Sequence, residues 1–154
     1  MATIAESVVV AASLADTWER YLDPRGWPAW VDGFGGIEAS DGYPEVGGTL
    51  AWHSVPAGRG KVSERVLEHE PRRIHRIAFS DPDSEGELAA RFAIEPGGEE
   101  RPTTRVTLEL EYRLHRRGLF MRLSDVFFIR GQLRGSLQRS LARFRAEAEE
   151  ATDA

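Results

Sequence analysis

Residues 103–114, TTRVTLELEYRL, alternate strictly. Thr104, Val106, Leu108, Leu110, Tyr112 and Leu114 fall on one side, and Arg105, Thr107, Glu109, Glu111 and Arg113 on the other. A period of two residues belongs to a β-strand, and one dry face opposite one wet face belongs to an antiparallel sheet covered on a single side. Such a sheet needs a cover, and the stretch that follows can supply it. At 100° per residue Leu119, Leu123, Val126, Phe127, Leu133, Leu137, Leu141, Phe144 and Ala148 share one broad arc, which predicts a single helix over 119–148. Leu123, Phe127, Leu137, Leu141 and Phe144 are expected to face the sheet, and the helix to fray in the acidic tail EAEEATDA.

The rest of the chain reads as more sheet with a short helical insertion. TIAESVVVAA (3–12) is β-branched and short, a strand. SLADTWERYL (13–22) is a helix with Ser13 as N-cap and Asp16 at the capping-box position. Pro24 and Gly26 break it, and a second short helix starts at Pro28. GGIEAS (35–40) is a strand, and DGYPEVGG (41–48) is turn material. TLAWHSV (49–55), GKVSERVLEHE (60–70), RIHRIAFS (73–80) and GELAARFAIE (86–95) are four further strands on short turns. Consecutive strands with short turns form a meander, not βαβ units. The expected class is α+β, one domain over 1–154 in which an antiparallel sheet of six to seven strands is covered by a long C-terminal helix.

Composition narrows the function. The hydrophobic share is 41% and the charged share 29%, as in an ordinary globular chain. There is no cysteine, which excludes disulfides and thiolate zinc sites. Net charge is −5 with the basic residues scattered, which argues against nucleic acid as a partner. MATIAESVVVAAS has no basic leader region and too short an apolar run for a membrane span, so the expected location is the cytoplasm. The histidines at 53, 69, 75 and 115 lack metal-ligand spacing, and no GxSxG, Walker A or strand-borne GxGxxG occurs. No metal and no cofactor is expected.

The order and spacing of several pieces resemble the SRPBCC, or START-like, superfamily, and within it the polyketide cyclase/dehydrase and lipid-transport group. Those pieces are VVVAAS followed by a helix with Trp18, DPRGWPAW with Asp23, Trp27 and Trp30, EVGGTL, VLEHEPRRI, TRVTLELE and the closing SLARFRAEAE. The resemblance covers nearly the whole chain. It implies a helix-grip fold with a cavity between sheet and helix, and members that bind lipids, sterols, polyketides or hormones, some catalysing cyclisation or dehydration. The pattern marks the fold; function must come from the cavity wall.

Strand parity selects that wall. Val62 and Val66 place Glu64 inward; Ile77 and Phe79 place His75 inward; Leu88, Ala90, Phe92 and Ile94 face in and leave Arg91 outside. In TLAWHSV the set with Trp52 is preferred over the set with His53, because a large aromatic contributes most when buried. Arg130 falls in the middle of the helix's apolar arc, where a charge is costly unless paired, and Glu64 is its expected partner. Competing readings stay open: Arg130 at the helix margin in a chain where Lys61 is the only lysine among 20 basic residues, Glu64 in an inert ion pair, His75 in uncertain register, and Trp27 and Trp30 as core or lid.

The expected ligand contacts are Arg130, Glu64, Trp52, Phe79, Phe92, Tyr112, Phe127 and Trp30. The expected partner is a small hydrophobic molecule, phenolic, polyketide or lipid-like. The alternative is a cofactor-independent cyclase, aromatase or dehydratase in which Glu64 or His75 moves protons and Arg130 holds an oxyanion. A third reading is a partner-docking module: Met121, Phe128 and Ile129 on the opposite helix face need covering, by the 23–34 segment or by a second subunit in a homodimer.

Overall fold

The computed structural model describes residues 1–115 and 123–153, with side chains over 1–115 and 129–153. Strand β1 (Ala2–Val10) leads into helix α1 (Leu14–Leu22), whose N-terminus is capped by Ser13 Oγ accepting from the Asp16 amide at 3.1 Å. A 3-10 turn, Pro24–Gly26, passes into the single-turn helix α2 (Trp27–Trp30). Six strands follow: β2 (Phe34–Asp41), β3 (Thr49–Ser54), β4 (Lys61–Glu70), β5 (Ile74–Ser80), β6 (Ser84–Ile94) and β7 (Thr104–Leu114). Helix α3 (Leu123–Asp153) closes the chain.

The seven strands form one sheet in the order β1-β7-β6-β5-β4-β3-β2, antiparallel throughout. The chain starts at one edge, crosses by α1 and α2 to the other, and walks back by hairpins until β7 lies beside β1. This is the helix-grip arrangement that the family resemblance implied.

Parity holds over most of the sheet. Leu50, Trp52, Val62, Val66, Ile77, Phe79, Ala90, Phe92, Val106, Leu108, Leu110 and Tyr112 are buried, against Leu141, Phe144 and Ala148 of α3. The outer face carries cross-strand ion pairs such as Arg91–Glu109 and Arg105–Glu95, whose exposure leaves them little to contribute. Two details depart from the alternation. Ile94 is 72% exposed at the end of β6, so its apolar phase does not imply cover. A bulge between Val66 and Glu68 shifts the phase of β4, so Glu68 pairs outward with Arg76 while His69 turns inward beside His75. Gly86 has a packing reason: a Cβ there would lie 1.9 Å from the Glu111 carbonyl oxygen.

Helix α3 does not fray where the acidic tail begins. It runs to Asp153, which pairs with Arg101 from the β6–β7 connection. Its long contact is with β1, an edge strand that has a neighbour on one side only. Arg130 donates to the Thr3 carbonyl at 3.0 Å, Arg134 bonds Glu6 at 2.6 Å, and Glu149 accepts from the Ala11 amide at 3.0 Å. An open sheet edge presents unpaired carbonyls and amides; Arg130 engages one such carbonyl, Glu149 the amide just past the strand, and the Arg134–Glu6 pair ties side chains across the seam. The beginning of the expected 119–148 helix, and the side chains of Leu119, Met121, Leu123, Val126, Phe127 and Phe128, lie outside the described residues. Ile129 is half-buried.

Candidate functional site

Between the β3–β7 part of the sheet and α2 and α3 lies a cavity of about 150 Å³. Its sheet side is built from Trp52, Val62, Glu64, His75, Ile77, Phe79, Leu88, Leu108, Leu110 and Tyr112. Trp27, Trp30 and Tyr43 wall it from the β1–β2 connection and the β2–β3 turn, and Leu133 and Leu137 from α3. Apolar and aromatic surface dominates, with a few polar groups set into it, the usual make-up of a small-molecule pocket.

Glu64 sits inward between Val62 and Val66, as parity required. Its Oε2 accepts the indole N–H of Trp52 at 2.6 Å, the two residues reaching across adjacent strands β3 and β4. Burial raises the carboxyl above the usual carboxylate range, against the opposing pull of the Trp52 hydrogen bond and the Arg59 charge. Glu64 therefore tends toward its protonated form, the state in which a carboxyl can donate as well as accept.

His75 is 4% exposed, and its Nδ1 lies 3.2 Å from Nδ1 of His69 on the paired strand. Burial, assisted by the neighbouring His69, pulls its pKa down to about 4, so the ring is neutral at physiological pH. One Nδ1 must donate to the other, which ties the tautomers of the two rings together. Among the described residues, Nε2 of His75 is buried without a hydrogen-bond partner, as are Oη of Tyr43 and Nε1 of Trp30. The Tyr43 ring stands edge-on to His75 at 5.7 Å, and burial raises its phenol well above the ordinary value.

Among the described residues, the cation in this wall is Arg59, not Arg130. Arg59 comes from the β3–β4 turn and lies over the rings of Phe79 and Trp52, 5.0 and 5.9 Å from their centroids. It is anchored by Asp81, whose Oδ2 lies 2.8 Å from Nε and 2.6 Å from a terminal guanidinium nitrogen. Burial opposes ionisation of Asp81, yet Arg59, the Asp83 amide and the Ser84 hydroxyl hold its carboxyl below the usual range.

Most of the expected contacts assemble here: Trp30, Trp52, Glu64, Phe79 and Tyr112, together with His75, line one cavity. Three expectations need correction or fall away. Arg130 is occupied at the edge of β1 and does not meet Glu64, because α3 is rotated so that this part of its arc reaches past the rim of the sheet. Phe92 is buried but packed, its ring 5.0 Å from Trp18 and 5.4 Å from Tyr21, because α1 fills the space over that part of β6. Phe127 lies outside the described side chains. The sequence reading missed Arg59, Tyr43 and His69. The first two sit on turns, where alternation says nothing of direction, and the third depends on a bulge. Among the described residues, no group of three histidines or carboxylates could hold a metal ion, and no helix is long and apolar enough to cross a membrane.

Solved structures share this fold. The Zhui aromatase/cyclase from Streptomyces superimposes with a TM-score of 0.78 at 16% identity, covering 98% of this chain and 95% of that one. A conserved protein from Geobacillus kaustophilus gives 0.74 at 10% identity, covering 97% of each chain. Norcoclaurine synthase from Thalictrum flavum, solved in complex with dopamine and hydroxybenzaldehyde, gives 0.68 at 17% identity, covering 97% of this chain and 87% of that one. At these identities the likeness shows the fold. No curated protein matches the chain. The family described as polyketide cyclase / dehydrase and lipid transport matches residues 1–149, and the chain belongs to it.

Proposed function

We propose that this protein binds a small, largely apolar, ring-bearing molecule in the cavity between the sheet and α3. The observation that carries the reading is the wall itself: Trp30, Trp52, Phe79 and Tyr112 enclose space, and only a few polar atoms reach it. Membership of a family of cyclases, dehydrases and lipid carriers supports a hydrophobic ligand, and the ring compounds held by the norcoclaurine synthase neighbour support a small one. Native mass spectrometry of protein purified from its host tests the proposal. A co-purified molecule lost on mild unfolding is expected. A clean apo mass, together with tryptophan fluorescence that no small ring compound moves, overturns it.

A second reading, a cofactor-independent enzyme of the cyclase or dehydratase kind, is favoured by one specific arrangement. Glu64 and His75 stand in the same wall, both pushed toward their uncharged forms, and His75 is joined to a second imidazole. A protonated carboxyl can donate a proton to a carbonyl oxygen. A neutral imidazole can take one at Nε2 while releasing another from Nδ1 to His69. Arg130 has no part in this reading, since it does not line the cavity.

A further inference from the structure

We propose that the cavity selects an uncharged single-ring ligand whose polar end both donates and accepts hydrogen bonds, and that it rejects the matching carboxylate and amidinium. This rests on the ligand-binding reading and names the chemical class the site takes.

Size comes first. A cavity of about 150 Å³ matches an engineered apolar cavity that takes benzene, so one six-membered ring with a small substituent fills it. The polar end follows from the partnerless atoms. Four buried side-chain polar atoms lack a hydrogen-bond partner among the described residues, and three belong to residues lining this cavity. Trp30 Nε1 can only donate, Tyr43 Oη can do both, and His75 Nε2 does one or the other according to the tautomer it shares with His69. Trp30 and His75 are 5% and 4% exposed, so bulk water is a poor substitute partner. A ligand with donors alone leaves the Trp30 N–H orphaned. A ligand with acceptors alone cannot serve a bare His75 Nε2.

Charge decides the rest. Arg59 is the cation in the described lining, and Asp81 already engages it through two short contacts. Asp32, also in the lining, is engaged by Arg139, Arg143 and Ser136. Glu64 carries one hydrogen bond, from Trp52. A carboxylate ligand would lose its water and find no free cation among the described residues of the lining. An amidinium would face the Trp30 N–H and the nearby Arg59, and the carboxyl that could receive it is disposed by burial to be neutral.

Benzamide, benzoate and benzamidinium are nearly isosteric and differ in charge, so they test the idea directly, with toluene as the apolar reference. Titration at neutral pH follows tryptophan fluorescence and the indole N–H resonance assigned by Trp30→Phe. Benzamide should bind at least about tenfold more tightly than either ion and move the Trp30 indole resonance. Asp81→Asn, which releases Arg59, should strengthen benzoate about tenfold with benzamide little changed. If the lost Asp81 turn contacts unfold that variant, Glu64→Gln provides the second arm. The side chain is uncharged in both proteins, so benzoate should stay at least about tenfold weaker than benzamide, and a closed gap overturns the charge argument. Benzoate or benzamidinium binding as tightly as benzamide overturns the charge selection. Toluene binding while all three polar probes fail overturns the polar-end argument and leaves the cavity reading standing. Failure of toluene as well removes the ligand-binding reading itself, and this proposal with it.

Discussion

Two aromatic clusters share the dry face of this sheet and end differently. Over β6, Trp18, Tyr21, Phe92 and Phe144 pack edge to face at 5.0 to 6.1 Å. Two polar groups there are matched, Thr104 Oγ1 donating to the Ala12 carbonyl and the Trp27 indole to the Tyr21 carbonyl, while the orphaned Trp30 indole packs on Tyr21 and Phe144 at the border with the cavity. Over β3–β5, Trp52, Phe79, Tyr43 and His75 are also buried or nearly so, yet they border open space and include orphaned polar atoms. A core built for stability fills its volume and satisfies its hydrogen bonds. The second cluster does neither, and that contrast locates the site better than any single residue.

Phe92 and Phe79 are a matched pair for breaking the comparison, at 4% and 7% exposure. Phe92→Ala should cost about 3–5 kcal/mol in urea unfolding, the cost of a new cavity in a packed core. Phe79→Ala should cost about 1–2 kcal/mol less, because its ring already borders a void and loses fewer contacts. Equal costs would mean that the cavity is as tightly filled as the β6 core.

The next effect is acid sensitivity from His75. Its folded pKa, about 4, lies below the ordinary value of 6.5, so the unfolded chain binds the extra proton first. Its contribution is complete above about pH 6.5 and is lost as pH falls toward 4, to a total of roughly 3 kcal/mol. Stability against urea across that range should slope more steeply in wild type than in His75→Leu. Parallel curves would sink the assignment.

Glu64 acts with the opposite sign. A carboxyl raised by burial contributes fully below its ordinary value of 4.5 and loses that contribution as pH rises through the folded one. Glu64→Gln keeps the uncharged form at every pH. It should raise Tm by a few degrees at mildly alkaline pH and change little in acid, as thermal scans across pH would show. A variant less stable than wild type at alkaline pH would mean that the carboxylate is paired after all.

The smallest effect belongs to Arg130. Arg130→Met removes an exposed hydrogen bond to Thr3 and should cost about 0.5 kcal/mol or less. Combined with Glu64→Leu the changes should add, because the two residues share no contact. Double-mutant coupling above about 1 kcal/mol would revive the buried pair that the apolar arc suggested.

The sequence by itself determined the architecture. Alternation in 104–114 and 61–66 set which residues face inward, because a one-residue slip would turn every side chain to the wrong face. The apolar arc of the last helix supplied the cover, and Glu64, His75, Trp52 and Tyr112 followed by parity. Only the tertiary structure decided the rest. The rotation of α3 against β1 sent Arg130 to an edge carbonyl, the docking of α1 turned Phe92 from wall into core, and a bulge brought His69 to His75. The β3–β4 turn delivered Arg59 to the cavity, where Asp81 awaited it from the β5–β6 turn. Periodicity is a local property and reports the face of a regular element. Rotation, bulges and turns depend on which distant groups need partners, so they are settled only when the chain is assembled.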